Sequence, residues 1–196
     1  MATERRQPVT LDELLRKALD LVEALKARSV LIGGLAVGIV GEARVTQDVD
    51  LILAFPVRKL STLASRAKAA GFTVAGSSLD EAKATGALRL GWRGLHVDLI
   101  LASTKFEESV FARSSTVTLL GRHLFVPTPE DLILLKLVPG REKDLLDAKT
   151  VIIRHRDRLN RSYLERWAQK LSDEAEDSRI WQTLQRLLRE AHEQGR

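Results

Sequence analysis

The chain has 196 residues, of which 44% are hydrophobic and 29% charged, with a net charge of +5 and no cysteine. This balance is typical of a globular protein with one domain, or with a core and a small appendage, and it excludes an intrinsically disordered chain. The lack of cysteine excludes a disulfide framework, a zinc–thiolate site and a thiol nucleophile. No apolar run reaches the roughly 18 residues that span a membrane, and the N-terminus has no apolar signal core. We therefore expect a cytoplasmic protein with no membrane partner.

The first half of the chain alternates between helix and strand signals. Thr10 and Glu13 have the spacing of a capping box and predict the start of a helix. Short β-branched or alternating runs predict strands, and apolar residues at helical spacing predict the helices between them. We predict helices over 10–28, 35–40 and 58–70, and strands over 29–32, 49–54, 72–75, 87–92 and 95–102. The tetrapeptide 92–95 predicts a hairpin turn between the last two strands.

The second half begins with a helix predicted over 105–113 and a hairpin over 116–126, and the rest is mostly helical. Thr128 and Pro129 have the order of a helix cap followed by a proline in the first turn. Breaks are predicted at 139–140 and 160–162. The predicted fold is α/β (α+β), with a mixed β-sheet flanked by helices over 1–126 and a C-terminal helical tail over 127–196.

The most informative motif is Gly33-Gly34, followed after thirteen residues by Asp48-Val49-Asp50. Two glycines between a strand and a helix allow the backbone to approach a ligand closely, and the amides of the helix that follows can bind phosphate. Asp48 and Asp50 are two residues apart on a strand, so their carboxylates share a face and together favour a divalent metal ion. Asp98 lies in a later apolar strand and would be the third metal ligand if the two strands pair. This combination suits phosphoryl or nucleotidyl transfer.

These residues resemble the motif of the polymerase-beta-like nucleotidyltransferase superfamily: an apolar residue, Gly-Gly, a gap, Asp-x-Asp and a later strand aspartate. The resemblance covers residues 29–102. It implies the superfamily's core fold, a nucleoside triphosphate as co-substrate, and magnesium, or alternatively manganese, as cofactor. It also implies that Gly33 and Gly34 hold the triphosphate, while the three aspartates are catalytic and bind the metal.

A second resemblance is to small bacterial nucleotidyltransferases, which include abortive-infection-type toxins and the lincosamide and aminoglycoside nucleotidyltransferases. Residues 41–48 are similar to their Gly-x-x-Arg-x-Thr-x-Asp run, which implies that Arg44 and Thr46 contact the nucleotide. Residues 129–147 are similar to later motifs of the toxin group. By that resemblance, Lys136 contacts nucleotide phosphates and is catalytic, and Asp144 orients or activates a reacting group.

Each residue also has a simpler interpretation. The glycines can form only a tight turn, and Lys136 can extend from an apolar helix face to solvent. Asp144 and Asp147 can make ordinary surface ion pairs at helical spacing. Arg44 and Thr46 can be loop residues.

The leading functional hypothesis is transfer of a nucleoside monophosphate to an RNA hydroxyl. The acceptor would be the 3′ end of a tRNA, in a toxin-like enzyme with a cognate antitoxin as partner. The alternatives are an antibiotic or protein nucleotidyltransferase, and a non-catalytic, antitoxin-like nucleotide-binding module.

The positive charge is concentrated in one segment. Residues 136–170 contain ten lysines and arginines and five acids. Their surplus of +5 equals the net charge of the whole chain. A charged run is often only a solvated helix face. Beside a nucleotidyl-transfer site, however, a basic surface favours an RNA backbone over a small neutral acceptor.

Overall fold

The computed structural model describes residues 10–193. The helices are α1 (Leu11–Ala24), α2 (Gly33–Val40), α3 (Leu60–Ala69), α4 (Gly76–Thr85), α5 (Lys105–Arg113), α6 (Pro129–Leu137), α7 (Glu142–His155), α8 (Arg161–Glu174) and α9 (Arg179–Glu193). The strands are β1 (Arg28–Ile32), β2 (Asp48–Ala54), β3 (Ala87–Trp92), β4 (Leu95–Leu101), β5 (Ser115–Leu119) and β6 (Arg122–Val126). A 3-10 turn (Val57–Lys59) precedes α3.

The residue contacts divide the chain into two compact units. In the described part, the first unit contains residues 10–29 and 47–103, and the second contains residues 30–46 and 104–193. The division does not follow chain order, because segment 30–46 belongs with the C-terminal half. The boundary at 126 that the sequence indicates stays a prediction.

In the first unit the strand order is β3-β4-β2. Strands β2 and β4 are parallel, whereas β3 and β4 form an antiparallel hairpin. Arg93 and Gly94 make its turn with positive φ angles of 48° and 86°, a backbone conformation that favours glycine. The apolar stripe of α1 is buried and packs against β2 and β4; it consists of Leu14, Leu15, Ala18, Leu21 and Val22.

In the second unit the strand order is β1-β6-β5, with β1 parallel to β6 and β5 antiparallel to it. Helix α6 is almost entirely buried, and it packs against α7 and α8. Its apolar core residues are Leu132, Ile133, Leu134 and Leu137. A helix buried on all sides can carry a charged residue only if that charge is compensated, and this applies to Lys136.

The predicted α/β fold with mixed strand pairing is confirmed, and so is the capping box of Thr10 and Glu13. The strand predicted over 72–75 is wrong, because only Thr73 pairs, in an isolated bridge with Gly91. Residues 76–85 form α4, which the sequence analysis did not predict. An additional break separates α8 from α9. In the part of the chain that the structure describes, no helix combines the length and apolarity needed to cross a membrane.

Candidate active site

The three predicted metal ligands lie on neighbouring parallel strands of the first unit. Asp50 of β2 is the register partner of Asp98 in β4, and Asp48 is the partner of His96. Side chains alternate along a strand, so Asp48, Asp50 and Asp98 extend from the same face. Each is partly exposed. The structure therefore contains the pairing of β2 with β4 that the predicted grouping of these three residues required.

Asp98 has a partner that the sequence analysis did not identify. Arg89 of β3 lies opposite Asp98, and its Nε and Nη2 atoms each donate a hydrogen bond of 2.7 Å to one carboxylate oxygen. The hydrogen bond to Asp98, and then the negative charges of Asp98, Asp48 and Asp50, raise the pKa of Arg89. The predicted hairpin could have revealed this pair, since a turn that pairs residues 92 and 95 also pairs 89 with 98.

The donor chemistry of the acidic residues fits a hard divalent cation, because carboxylate oxygens are the ligands such ions prefer. Asp48 and Asp50 supply two carboxylates from one strand face. Asp98 would add a third carboxylate if it exchanged its hydrogen bonds from Arg89 for a bond to the cation. Within residues 10–193, no group of three or more His, Cys, Asp or Glu side chains is arranged to hold a metal ion.

The glycine pair lies in the second unit, where β1 passes directly into α2. Gly33 has a φ of +66°, which a residue with a side chain rarely adopts. A Cβ on Gly34 would lie 2.7 Å from Thr46 Oγ1 and 2.8 Å from Thr46 Cβ. The N-cap residue Ile32 provides no side-chain acceptor for the first amides of α2. The short distances between Gly34 and Thr46 show that the segment from Gly41 to Thr46 folds back onto the glycine turn.

Replacing Gly34 by alanine is expected to destabilise the protein by about 1–3 kcal/mol, because Thr46 Cβ cannot rotate away from the added methyl group. Thermal or urea unfolding measures this, and Thr46→Gly should restore stability in the double variant. Gly76→Ala is the control, since a Cβ there meets nothing within 4 Å. Equal stability of Gly34→Ala and Gly76→Ala would contradict the close packing.

Helix α7 holds the other end of α2. Arg154 donates a hydrogen bond to the carbonyl oxygen of Gly41, and His155 Nε2 lies 2.6 Å from the carbonyl oxygen of Val40. A Cβ on Gly41 would lie 2.8 Å from Val151 Cγ2. These contacts satisfy carbonyl groups that every helix leaves without an intrahelical partner at its C-terminus.

Arg44 and Lys136 meet at Asp147. Arg44 donates hydrogen bonds of 2.7 and 2.9 Å from Nε and Nη2 to the two oxygens of Asp147. Lys136 Nζ lies 2.8 Å from Asp147 Oδ2 and 3.1 Å from Asp144 Oδ1. Arg141 Nε donates a 2.6 Å hydrogen bond to the other oxygen of Asp144. The structure thus places four residues of the predicted tail motif, with Arg44, in one charged cluster.

The centre of this cluster is buried. Side-chain exposure is 1% for Asp144, 3% for Asp147 and 8% for Lys136, against 35% for Arg44 and 63% for Arg141. Burial opposes ionisation of Asp147, but hydrogen bonds from Arg44 and Lys136 outweigh it and lower the pKa of this carboxyl group. The simpler interpretation of Asp144 and Asp147 as surface residues does not fit this burial. Asp147 is the last residue of the Lys-Asp-x-x-Asp element at 143–147, for which the resemblance to the toxin group implied a place in the site but no individual role.

Comparison with known protein families assigns the chain. A model described as "Nucleotidyltransferase of unknown function (DUF6036)" matches residues 9–196. The chain belongs to this family. It is a nucleotidyltransferase, as the glycine and aspartate motifs predicted, which is consistent with the resemblance to the polymerase-beta-like superfamily. A search of curated protein sequences finds no match for this family member.

Several solved structures have a similar fold, among them the following two. The lincosamide antibiotic adenylyltransferase LnuA, bound to lincomycin, is 16% identical, with a TM-score of 0.52 over 73% of this chain and 96% of that chain. ANT(2″)-Ia, in complex with adenylyl-2″-tobramycin, is also 16% identical, with a TM-score of 0.58 over 83% of this chain and 97% of that chain. At 16% identity, the similarity of the DUF6036 protein to these two structures shows a shared fold and nothing more.

Proposed function

We propose that this nucleotidyltransferase transfers a nucleoside monophosphate from a nucleoside triphosphate to a hydroxyl group of RNA, in a metal-dependent reaction. The observation that carries the proposal is the parallel register of β2 and β4, which puts Asp48, Asp50 and Asp98 on one face. Three carboxylates on one face repel each other unless cations compensate them. Arg89 provides part of that compensation, and a divalent cation would provide the rest.

In the proposed reaction, the acceptor hydroxyl oxygen attacks the α-phosphorus in line. The new oxygen–phosphorus bond forms as the bond to the β-phosphate oxygen breaks; pyrophosphate leaves and the hydroxyl proton passes to solvent. Asp48, Asp50 and Asp98 would hold magnesium, which when bound neutralises the triphosphate and lowers the pKa of the acceptor hydroxyl. Gly33, Gly34 and Thr46 would contact the phosphates through the turn and the first amides of α2.

The RNA acceptor is supported by the segment from the last two residues of α7 to the first residue of α8, which we name the arginine turn (residues 154–161). Arg156, Arg158 and Arg161 are exposed there, and Asp157 is the one acid among them. A cavity of about 300 Å³ opens beside the turn, and Arg156, Asp157, Arg161 and His192 line it over an apolar floor. Exposed arginines in a row favour contact with a phosphate backbone.

The alternative acceptor is an antibiotic hydroxyl, which the fold likeness to LnuA and ANT(2″)-Ia favours. The arginine turn argues against an aminoglycoside, because the amino groups of such a compound are protonated at neutral pH and are repelled by arginines. For the role in the cell, we propose a toxin-like enzyme that has the tRNA 3′ end as acceptor and a cognate antitoxin as partner.

The proposal is tested by incubating the protein with each α-labelled nucleoside triphosphate, magnesium and total RNA. We expect label in RNA and none in lincomycin, tobramycin or added protein. Label in an antibiotic and not in RNA would replace the proposal with the alternative, and no label in any acceptor would contradict it.

Neutralising the arginine turn tests the acceptor separately. Changing Arg156, Arg158 and Arg161 to glutamine should raise KM for RNA about tenfold or more with little change in kcat. The slope of log affinity for RNA against log salt concentration should fall by about one unit for each RNA phosphate that is no longer neutralised. The matched control removes the same charge from exposed residues of the first unit, by changing Lys59, Arg66 and Lys68 to glutamine. If both triple variants raise KM equally, the arginine turn is not the RNA contact.

A further inference from the structure

The buried centre of the second unit joins two arginines through one continuous set of ion pairs. We name Asp147, Lys136 and Asp144 the acid–lysine–acid bridge. Its Asp147 end holds Arg44, and its Asp144 end holds Arg141. We propose that Arg44 and Arg141 together bind the phosphate chain of the nucleotide, and that the acid–lysine–acid bridge positions them. This inference rests on the proposed function, and it assigns a binding role to Arg141 and a positioning role to Lys136, Asp144 and Asp147.

The distribution of exposure separates the groups that can contact a ligand from those that cannot. Lys136 is 8% exposed, and its ammonium group is held by two carboxylates, so it is poorly placed to contact phosphate itself. Arg44 and Arg141 are 35% and 63% exposed. Arg141 uses only Nε in its hydrogen bond to Asp144, which leaves its two terminal nitrogens outside that contact. The positive charge that solvent can reach is therefore carried by the arginines.

The charge balance of the cluster favours an anion. Two carboxylates are surrounded by three cations, so the cluster carries a net charge of +1. A buried ion pair is an expensive way to hold two helices together, since apolar side chains of similar volume usually do so at least as well. Here each buried carboxylate instead fixes the direction of a planar guanidinium group. An arginine fixed in this way loses less side-chain entropy when it binds a phosphate.

Arg44 is also close in the chain to the glycine turn. It lies two residues before Thr46, whose Oγ1 occupies the space that a side chain on Gly34 would need. Helix α2, which begins at that turn, packs against α6 and α7, the helices that carry Lys136, Asp144 and Asp147. The acid–lysine–acid bridge therefore belongs to the packing that supports the glycine turn.

The test measures binding of ATP and of inorganic tripolyphosphate by calorimetry, with the 196-residue protein and its variants. Arg44→Gln, Arg141→Gln and Asp147→Asn should each raise the Kd about tenfold, as expected for removal of one charge-assisted hydrogen bond. Glu190→Gln is the control, because Glu190 of α9 pairs at a partly exposed position with Lys149 of α7, the helix that also carries Asp144 and Asp147. Its Kd should stay within about twofold of wild type.

A double variant separates positioning from simple destabilisation. If Asp147 acts through Arg44, then Arg44→Gln/Asp147→Asn should bind no more weakly than Arg44→Gln alone. Among the variants that transfer nucleotide, KM for the triphosphate should rise while kcat changes little. Wild-type affinity in Asp147→Asn and in Arg141→Gln, or additive losses in the double variant, would overturn the inference. If Asp147→Asn does not fold, Arg141→Gln decides, since that side chain is mostly exposed.

These outcomes are distinct from failure of the proposed function. A wild-type protein that binds tripolyphosphate, loses affinity in the variants and labels no RNA would contradict the RNA acceptor and support the inference. If the wild-type protein labels RNA but Arg44→Gln, Arg141→Gln and Asp147→Asn bind tripolyphosphate with unchanged affinity, the RNA acceptor is supported and the inference is overturned. A wild-type protein that binds neither ATP nor tripolyphosphate would overturn the inference.

Discussion

Replacing Asp48 by asparagine is expected to reduce nucleotide transfer about 1000-fold without unfolding the protein. A metal ion stabilises charge in the transition state by several kcal/mol, and each 1.36 kcal/mol corresponds to a factor of ten in rate. The fold should tolerate the change because the Asp48 side chain is 44% exposed and its ion-pair distance to His96 is 3.8 Å. The measurement is the initial rate of RNA labelling at saturating triphosphate and magnesium.

Asp80→Asn is the matched control for this prediction. Asp80 lies on α4 of the same unit, its side chain is 83% exposed, and its partner Lys83 is three residues away on the same helix. Asp80→Asn should retain the wild-type rate and melting temperature. Full activity in Asp48→Asn at saturating magnesium would contradict the proposed role of the carboxylates.

Much of the backbone was predictable because its signals are local. A capping box, a glycine pair after a β-branched run and a proline in the first turn of α6 each act over a few residues, and the structure contains all three. Helix α4 was missed because its sequence, GSSLDEAKAT, starts with residues typical of loops and has no apolar stripe. Its left-handed C-cap residue, Gly86, was the available signal.

The placement of Asp48, Asp50 and Asp98 on one face of the sheet was partly predictable, for a different reason. Asp48 and Asp50 are two apart on one strand, so their shared face follows from the geometry of a strand alone. The grouping with Asp98 required β2 and β4 to be neighbours, which no local pattern establishes. Once they pair in parallel, the register puts Asp98 beside Asp50.

The acid–lysine–acid bridge could not be derived from spacing. Arg44 and Asp147 are 103 positions apart in the chain, and their contact depends on how α7 packs against the segment that follows α2. The resemblance to known motifs indicated Lys136 and Asp144, but it could not show that Asp144 and Asp147 face inward. Burial of both carboxylates is a property of tertiary packing, which an i,i+3 charge pattern does not contain.

Replacing Lys136 by methionine is expected to lower the free energy of unfolding by about 3 kcal/mol. Removing one partner of a buried ion pair typically costs 3–5 kcal/mol, because the remaining charge is left uncompensated in the interior. The cost should lie near the lower limit here, since Asp147 keeps Arg44 and Asp144 keeps Arg141. Urea unfolding at neutral pH measures the change. The control is Lys149→Met, whose pair with Glu190 is partly exposed and should be worth less than about 1 kcal/mol.

A thermodynamic cycle tests whether the cost arises from the charges. If Lys136 and Asp147 stabilise each other, the double variant Lys136→Met/Asp147→Asn should lose less than the sum of the single losses, with a coupling energy of about 1–3 kcal/mol. The cycle on Lys149 and Glu190 should give a coupling near zero, since solvent screens that pair. A coupling of equal size in both cycles would mean that Lys136 is no more than a helix residue with an apolar stem. A large coupling at Lys136 alone would mean that its charge stabilises the buried carboxylate of Asp147, which holds the guanidinium group of Arg44.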